Sequence, residues 1–426
     1  MEDPIIIDQN VLTAEKPLGK VSIPIIIGIA ATVVIAGVLL AFAVERRTVA
    51  IRDTEVSNDS FDFRFFSQTA SQEKGKNFMV SPLSLEQALA MAYNGAGGTT
   101  KSAMAKTLGV TQADLTAYNV SNQQKIAALG ASDPSVSLNI ANSLWARQGL
   151  TFDNAFLQRS ATYYNAKAST LDFNDPAASD VINGWVNAQT NGKIPTIVDK
   201  NLGDSVMYLI NAVYFKGNWL TPFSPDNTAN RDFTTSDKSK LSVPSMSTRN
   251  DFPYYENGDL QMVSLPYGNT GNISMDLILP KPGRGLDGLF TQLHTDTWQS
   301  WLNQFSSSSV QVYLPKFTAE YSSDLNSTLI NMGMGVAFSP SQADFSGMDS
   351  QQGLYISKVL QKTFVKVDER GTEAAAVTSL GMATLGMIRE TPAPSHTIDI
   401  NRPFFYAIRD KTTNSILFMG VTNDPR

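Results

Sequence analysis

The sequence predicts an α+β fold, on three observations. Helix punctuation is concentrated early in the body, long apolar strand-like runs fill the remainder, and no internal repeat divides it. At 426 residues, 42% hydrophobic and 17% charged, the chain has the length and apolar content for a large core.

Taken in order, residues 1–20 form a polar tail with Glu2, Asp3, Asp8 and Glu15. Val21 to Val44 carries no charge and is mostly Ile, Val, Ala, Leu and Gly. As a helix it would span about 36 Å, enough for a bilayer core of about 30 Å. Pro24 lies near its start, where helices accept proline. This segment is read as a transmembrane helix. The alternative is a signal peptide cleaved at Ala41-Phe42-Ala43, against which stand the long apolar run and the acidic residues before it. Lys16 and Lys20 on one flank and Arg46, Arg47 and Arg52 on the other leave the charge rule for orientation nearly balanced. Residues 45–57 read as a tether, and 58–426 as one globular domain.

Within that domain helices are expected at Asp59 to Gln72, Pro82 to Asn94 and Val181 to Thr190. The second has Ser81 as N-cap, Pro82 in the first turn and Gly95 at the stop. The third ends near Asn191-Gly192. Val206 to Phe215 is almost wholly apolar, as a strand buried on both faces should be. Asn211 interrupts it and demands hydrogen-bond partners. Further strands are expected at Ile273 to Leu279, Val310 to Leu314, Phe364 to Val367, Phe404 to Ile408 and Ile416 to Met419. Ser306 to Ser309 reads as a short surface loop.

Composition removes several functions. A net charge of −6 gives no nucleic-acid footprint. With no cysteine there is no thiol nucleophile, disulfide framework or thiolate metal site. Only His294 and His396 could act as a hydrolase base, and both read as ordinary exposed histidines, one in a helical segment and one in a Pro-rich loop. No Gly-x-Ser-x-Gly elbow, phosphate loop or His-Glu-x-x-His motif is present. Asn119 to Gly130 has Lys125 as its single base, too little for a polyanion-binding stripe. No cofactor and no metal is expected.

The most informative stretch is Asp368-Glu369-Arg370-Gly371-Thr372-Glu373-Ala374-Ala375-Ala376-Val377-Thr378. Gly371 can act as a pivot. Thr372, Ala374, Ala376 and Thr378 have spacing two, so a strand would put these small side chains on one face. An exposed Ala-rich helix is the competing conformation.

This stretch, followed by Asn401-Arg402-Pro403-Phe404-Phe405 and Leu417-Phe418-Met419-Gly420, resembles the reactive-loop region of serpins, the serine-protease inhibitors. The resemblance extends from Asn58 to Pro425. It includes Asn77-Phe78-Met79-Val80-Ser81-Pro82-Leu83-Ser84, Leu209-Ile210-Asn211-Ala212-Val213-Tyr214-Phe215-Lys216-Gly217-Asn218-Trp219, Leu265-Pro266-Tyr267 and Tyr313-Leu314-Pro315-Lys316-Phe317. The chain resembles a serpin of prokaryotic type, with Val21 to Val44 as its membrane anchor.

The resemblance implies a serpin fold with three β-sheets, eight or nine helices and an exposed reactive-centre loop. It implies a suicide substrate: a protease cuts the loop, the loop inserts into the main sheet, and the acyl-enzyme is trapped before it hydrolyses. Glu369, Gly371, Thr372, Glu373, Ala374, Ala375, Ala376 and Thr378 would form the hinge. Ser81, Ser84, Asn211 and Gln361 would form the shutter that lets the sheet part, and Trp219 would mark the breach where insertion starts. Gln361 stands where many serpins have histidine and cannot become cationic. The reactive bond falls at Leu385–Gly386, since Leu385 is the fifteenth residue counted from Gly371 as the first. Met387 and Arg389 are alternatives, because the chain from Leu385 to Pro403 is long for the family. Leucine implies a chymotrypsin-like, elastase-like or subtilisin-like target. The expected protein is a monomer, membrane-anchored with its serpin domain extracellular, or secreted if the anchor is cleaved. A non-inhibitory binding module on the same fold is the alternative, and an enzyme is disfavoured.

Overall fold

The apolar run expected as a doubly buried strand organises the molecule. It forms β4 (Met207–Asn218), which is buried almost throughout. The computed structural model describes residues 61–110, 114–350, 353–372 and 393–426, all within one compact unit, Thr54–Arg426. Val21 to Val44 lies outside the described residues, and among those described no helix is long and apolar enough to cross a membrane.

Nine helices are described: α1 (61–72), α2 (Pro82–Tyr93), α3 (Gly98–Leu108), α4 (Leu115–Ser132), α5 (Asn154–Tyr164), α6 (Ala178–Gln189), α7 (Leu286–Phe290), α8 (Thr295–Asn303) and α9 (Asn326–Leu329). They surround two hydrogen-bonded sheets. The six-stranded sheet has the order β10-β11-β12-β4-β2-β3. Its strands are β2 (Ser137–Arg147), β3 (Lys167–Leu171), β4, β10 (Phe317–Asp324), β11 (Lys358–Asp368) and the two-residue β12 (Gly371–Thr372). The nine-stranded sheet comprises β1 (Phe78–Val80), β5 (Ala229–Thr234), β6 (Lys240–Glu256), β7 (Leu260–Pro266), β8 (Ile273–Pro280), β9 (Ser306–Pro315), β13 (His396–Asp399), β14 (Phe404–Asp410) and β15 (Ile416–Thr422).

The expected third sheet is fused to the second by β6. This 17-residue strand pairs with β5 and β9 along most of its length and with β7 only at its end, through Tyr254 to Glu256. One continuous strand therefore serves two layers.

The main core is held by α1, α2 and α8 against the nine-stranded sheet, with Phe66 edge-on to Phe405 at 5.1 Å and to Phe290 at 5.3 Å. A second core fills the space between the sheets around Phe215, Tyr267, Phe404 and Phe418. A third lies under α6, where Ile182 and Val186 meet Trp145, Ile210 and Ala212 of the six-stranded sheet. Helix α6 begins earlier than its sequence pattern suggests, at Ala178, and ends as expected, with Asn191 at φ 53° and Gly192 at φ 79° turning the chain out of the helix.

Four local expectations are corrected. Ser306 to Ser309 is not a loop: it starts β9 and pairs with Asp251 to Tyr254 of β6. Ser81 occupies the N-cap position of α2 without capping it, because its hydroxyl donates instead to the Leu417 carbonyl at 2.6 Å. Gly95 follows the end of α2 as expected, and a Cβ there would lie 2.0 Å from Met348 Cγ, so close packing also calls for glycine. His396 belongs to β13 rather than a loop, and His294 caps α8 rather than lying inside a helix.

Candidate functional site

The parallel strands β11 and β4 pair from Lys358–Tyr208 to Phe364–Tyr214 and then separate. The chain leaves β11 at Asp368, turns through Glu369 and Arg370, and returns as β12 into that opening. Gly371 pairs with Asp368 on one side and Asn218 on the other, and Thr372 with Val367 and Gly217. Two residues of the candidate loop are thus part of the sheet.

Glycine at 371 is obligatory on two counts. Its φ of 145° is closed to residues with side chains, and a Cβ would lie 2.2 Å from the Gly217 carbonyl oxygen. The turn before it is tied down by backbone and side chain together. Trp219 N–H donates to the Arg370 carbonyl and Phe223 N–H to that of Glu369, each at 2.8 Å. The indole Nε1 of Trp219 donates to the Asp368 carbonyl at 2.9 Å. Glu369 pairs with Lys316 Nζ at 2.9 Å and accepts from the Thr228 hydroxyl at 2.8 Å. Burial pushes the Glu369 carboxyl up, but Lys316, its own N–H and Thr228 outweigh this and hold it below the usual carboxylate range.

Thr372 is completely buried and shares a 2.8 Å hydrogen bond with the Tyr267 hydroxyl. Tyr267 stacks on Trp219 with ring centroids 4.2 Å apart. Burial pushes its hydroxyl well above the usual tyrosine range, so it stays protonated and able to donate. Trp219, Tyr267 and Thr372 form one packed post at the mouth of the opening.

Lower in the sheet, where β11 and β4 are paired, lies a buried polar cluster. Gln361 Nε2 donates to Asn211 Oδ1 at 2.6 Å and to the Ser81 carbonyl at 2.9 Å, and its Oε1 accepts from Ser81 N–H at 3.1 Å. Asn211 Nδ2 donates to Asn142 Oδ1 at 2.6 Å and also to the Ser84 hydroxyl. Thr363 Oγ1 donates to the Met79 carbonyl at 2.8 Å. The cluster therefore joins β11 to β4, β4 to β2, and all three to the start of α2. Of these bonds, the one from Gln361 to Asn211 crosses from β11 to β4, so parting those strands leaves Asn211 Oδ1 and one Gln361 N–H to find replacements.

The family model of serpins, described as serine protease inhibitor, matches residues 56–425. The chain belongs to the serpin family. Serpin B10 of Sorex araneus is 34% identical over 85% of this chain and 97% of its own length. A leukocyte elastase inhibitor of Xenopus laevis is likewise 34% identical, over 86% of this chain and 97% of its own. Among solved structures, the thermophilic serpin tengpin in its native state is 33% identical with a TM-score of 0.78, covering 86% of this chain and 93% of that one.

In this serpin the expected site residues fall into two sets. Ser81, Ser84, Asn211 and Gln361 converge on the polar cluster, and Trp219, Glu369, Gly371 and Thr372 on the mouth of the opening. Glu373, Ala374, Ala375, Ala376, Thr378, Leu385, Gly386, Met387 and Arg389 lie outside the described residues. Sequence reasoning missed Asn142, Thr363, Tyr267 and Lys316. Asn142 carried the same signal as Asn211, a lone amide inside an apolar strand pattern. Lys316 carried none, since its partner is 53 residues away in sequence.

Both histidines were expected to be exposed, and His396 departs from that. His396 is half-buried, stacked on Tyr254 at 4.4 Å with Nδ1 3.6 Å from Glu256. His294 remains exposed and bonds to Thr297. Lys125 faces the buried Glu86 at 3.8 Å.

Proposed function

We propose that this serpin is a suicide-substrate inhibitor of serine proteases. The seat of Gly371 and Thr372 between β11 and β4 carries the reading. The segment that would become a new strand has its first residues in register with both neighbours, so insertion extends a ladder instead of closing a new loop. Glu373, Ala374, Ala375, Ala376 and Thr378 would follow, with Ala374, Ala376 and Thr378 on the face of the buried Thr372. For them to enter, β11 and β4 must part through the pairs ending at Phe364–Tyr214, and the Gln361–Asn211 contact must break. Ser81, Ser84, Asn211 and Gln361 are therefore assigned the shutter role, and Trp219 the breach.

The scissile bond is placed at Leu385–Gly386, with Met387 and Arg389 as later alternatives. Leucine suits a chymotrypsin-like, elastase-like or subtilisin-like protease, which agrees with the name of the Xenopus relative. Val21 to Val44 would anchor a monomeric serpin domain outside the cell, unless cleavage after Ala43 releases it.

Mixing the full-length protein with chymotrypsin tests this directly. A complex surviving denaturing electrophoresis and a C-terminal fragment starting at Gly386 are expected. Simple cleavage with full recovery of protease activity would overturn the inhibitory reading. A fragment starting at Glu390 beside a trapped trypsin-like enzyme would move the bond. For topology, protease added to intact cells should release or digest the domain; protection would reverse the orientation.

A further inference from the structure

A cavity of about 720 Å³ lies away from the hinge and shutter. The end of α1, the turn between β5 and β6, the connection from β8 to α7 and the chain entering β14 meet around it. None of the residues discussed above for loop insertion lines it. Its volume lies within the range of roughly 300–1,000 Å³ usual for small-molecule sites. The apolar part of its wall includes Phe78, Pro280, Phe290, Pro403 and Val421.

Five bases, Lys74, Lys76, Lys238, Arg284 and Arg402, and three acids, Glu73, Asp237 and Asp287, line it. Three of the bases are matched by carboxylates: Lys74 by Asp287 at 3.1 Å, Lys76 by Glu73 at 3.1 Å and Arg284 by Asp259 at 3.0 Å. Arg402 is not. Its guanidinium is half-buried and bonds only neutral groups, the Pro280 carbonyl and Asn401 Oδ1, each at 2.9 Å. Asp399, the acid whose charge reaches it, is paired with Arg231 at 2.8 Å. Lys238 also has no carboxylate within ion-pair distance among the described residues. The acid nearest it in sequence, Asp237, accepts from the Thr235 hydroxyl and Ser239 N–H. A half-buried guanidinium with no carboxylate in direct ion-pair contact among the described residues, beside an apolar wall, suits a ligand that joins an anionic group to an apolar body.

We propose that this cavity binds a small amphipathic carboxylate. Its apolar body would lie against Phe290 and Pro403, and its carboxylate between Arg402 and Lys238. Such a ligand would bridge the β5–β6 turn and the entry to β14, two connections already joined by a 2.8 Å bond from Thr234 N–H to the Asn401 carbonyl.

The test is calorimetric titration of the full-length protein with 4-phenylbutyrate and with 4-phenylbutanol, its uncharged counterpart. One saturable site for the acid, with the alcohol at least about tenfold weaker, is expected from loss of the charge-assisted bonds. Arg402→Gln and Lys238→Gly should each weaken the acid by roughly the same factor and leave the alcohol unchanged. Lys238 sits at φ 69°, which glycine accepts, so Lys238→Gly retains the fold and decides the matter if Arg402→Gln does not. Equal binding of acid and alcohol, no saturable heat with the acid, or folded variants with unaltered acid affinity would each overturn the proposal.

Discussion

Thr372 and Tyr267 share a buried hydrogen bond at the point where β12 enters the sheet. Removing the phenol in Tyr267→Phe leaves the Thr372 hydroxyl buried without its partner, at a cost of about 1–3 kcal/mol. Amide exchange should accelerate at Gly371 and Thr372 before it does elsewhere in β4. Unchanged exchange at those two amides would mean that the backbone pairs alone retain the hinge.

Gly371→Ala addresses the same seat from the backbone side. The added Cβ meets the Gly217 carbonyl, and alanine disfavours a φ of 145°. The domain should stay folded while β12 leaves the sheet. Limited proteolysis should then cut near Thr372 in the variant and spare it in the parent; identical digests would count against the assignment.

Glu369 gives the turn before β12 a pH dependence. Its carboxyl titrates lower in the folded protein than in the unfolded chain, so its contacts contribute stability above the model-peptide value of 4.5 and lose it as pH falls through the lower folded value. Glu369→Gln should be less stable than the parent at pH 7, and the two should converge under acid. Unfolding midpoints measured across that range check this, and a constant gap would show that the carboxylate is not responsible.

Asn211 sits at the centre of the polar cluster, bonded to Ser84, Asn142 and Gln361. Asn211→Ala strands three buried partners and should lower stability by about 3 kcal/mol or more. Denaturant titration provides the number, and a loss below about 1 kcal/mol would mean that the neighbours re-pair.

Ala374→Arg separates cutting from trapping. The proposed insertion would bury the arginine, a heavy penalty for an unpaired charge. The variant should be cleaved by the target protease at the parent's rate without forming the stable complex. Trapping with undiminished efficiency would discard insertion past Thr372.

Particular residues explain how much could be read in advance. The run Val206 to Phe215 was legible because burial on both faces leaves an almost wholly apolar pattern. Asn211 stood out against it, and its need for partners pointed to the cluster. Ser306 to Ser309 misled because serine signals exposure, whereas their strand state is imposed by Asp251 to Tyr254 on β6. The partial seating of Gly371 and Thr372 was invisible for a related reason. It depends on Gly217 and Asn218, some 150 residues earlier, and on a gap that exists only once β11 and β4 have paired. Ser81 carried a local capping signal, but its hydroxyl bonds instead to Leu417, 336 residues away.

Strand β1 has one consequence for synthesis. Among the described residues its one ladder partner is β15, Phe78 facing Val421 and Val80 facing Met419, and Asn77 reaches on to Asn423 and Asp424. During translation, Phe78–Val80 emerges early and must wait for nearly the whole domain before its neighbour exists. Until then it presents an unpaired apolar edge, the kind of surface on which nascent chains aggregate.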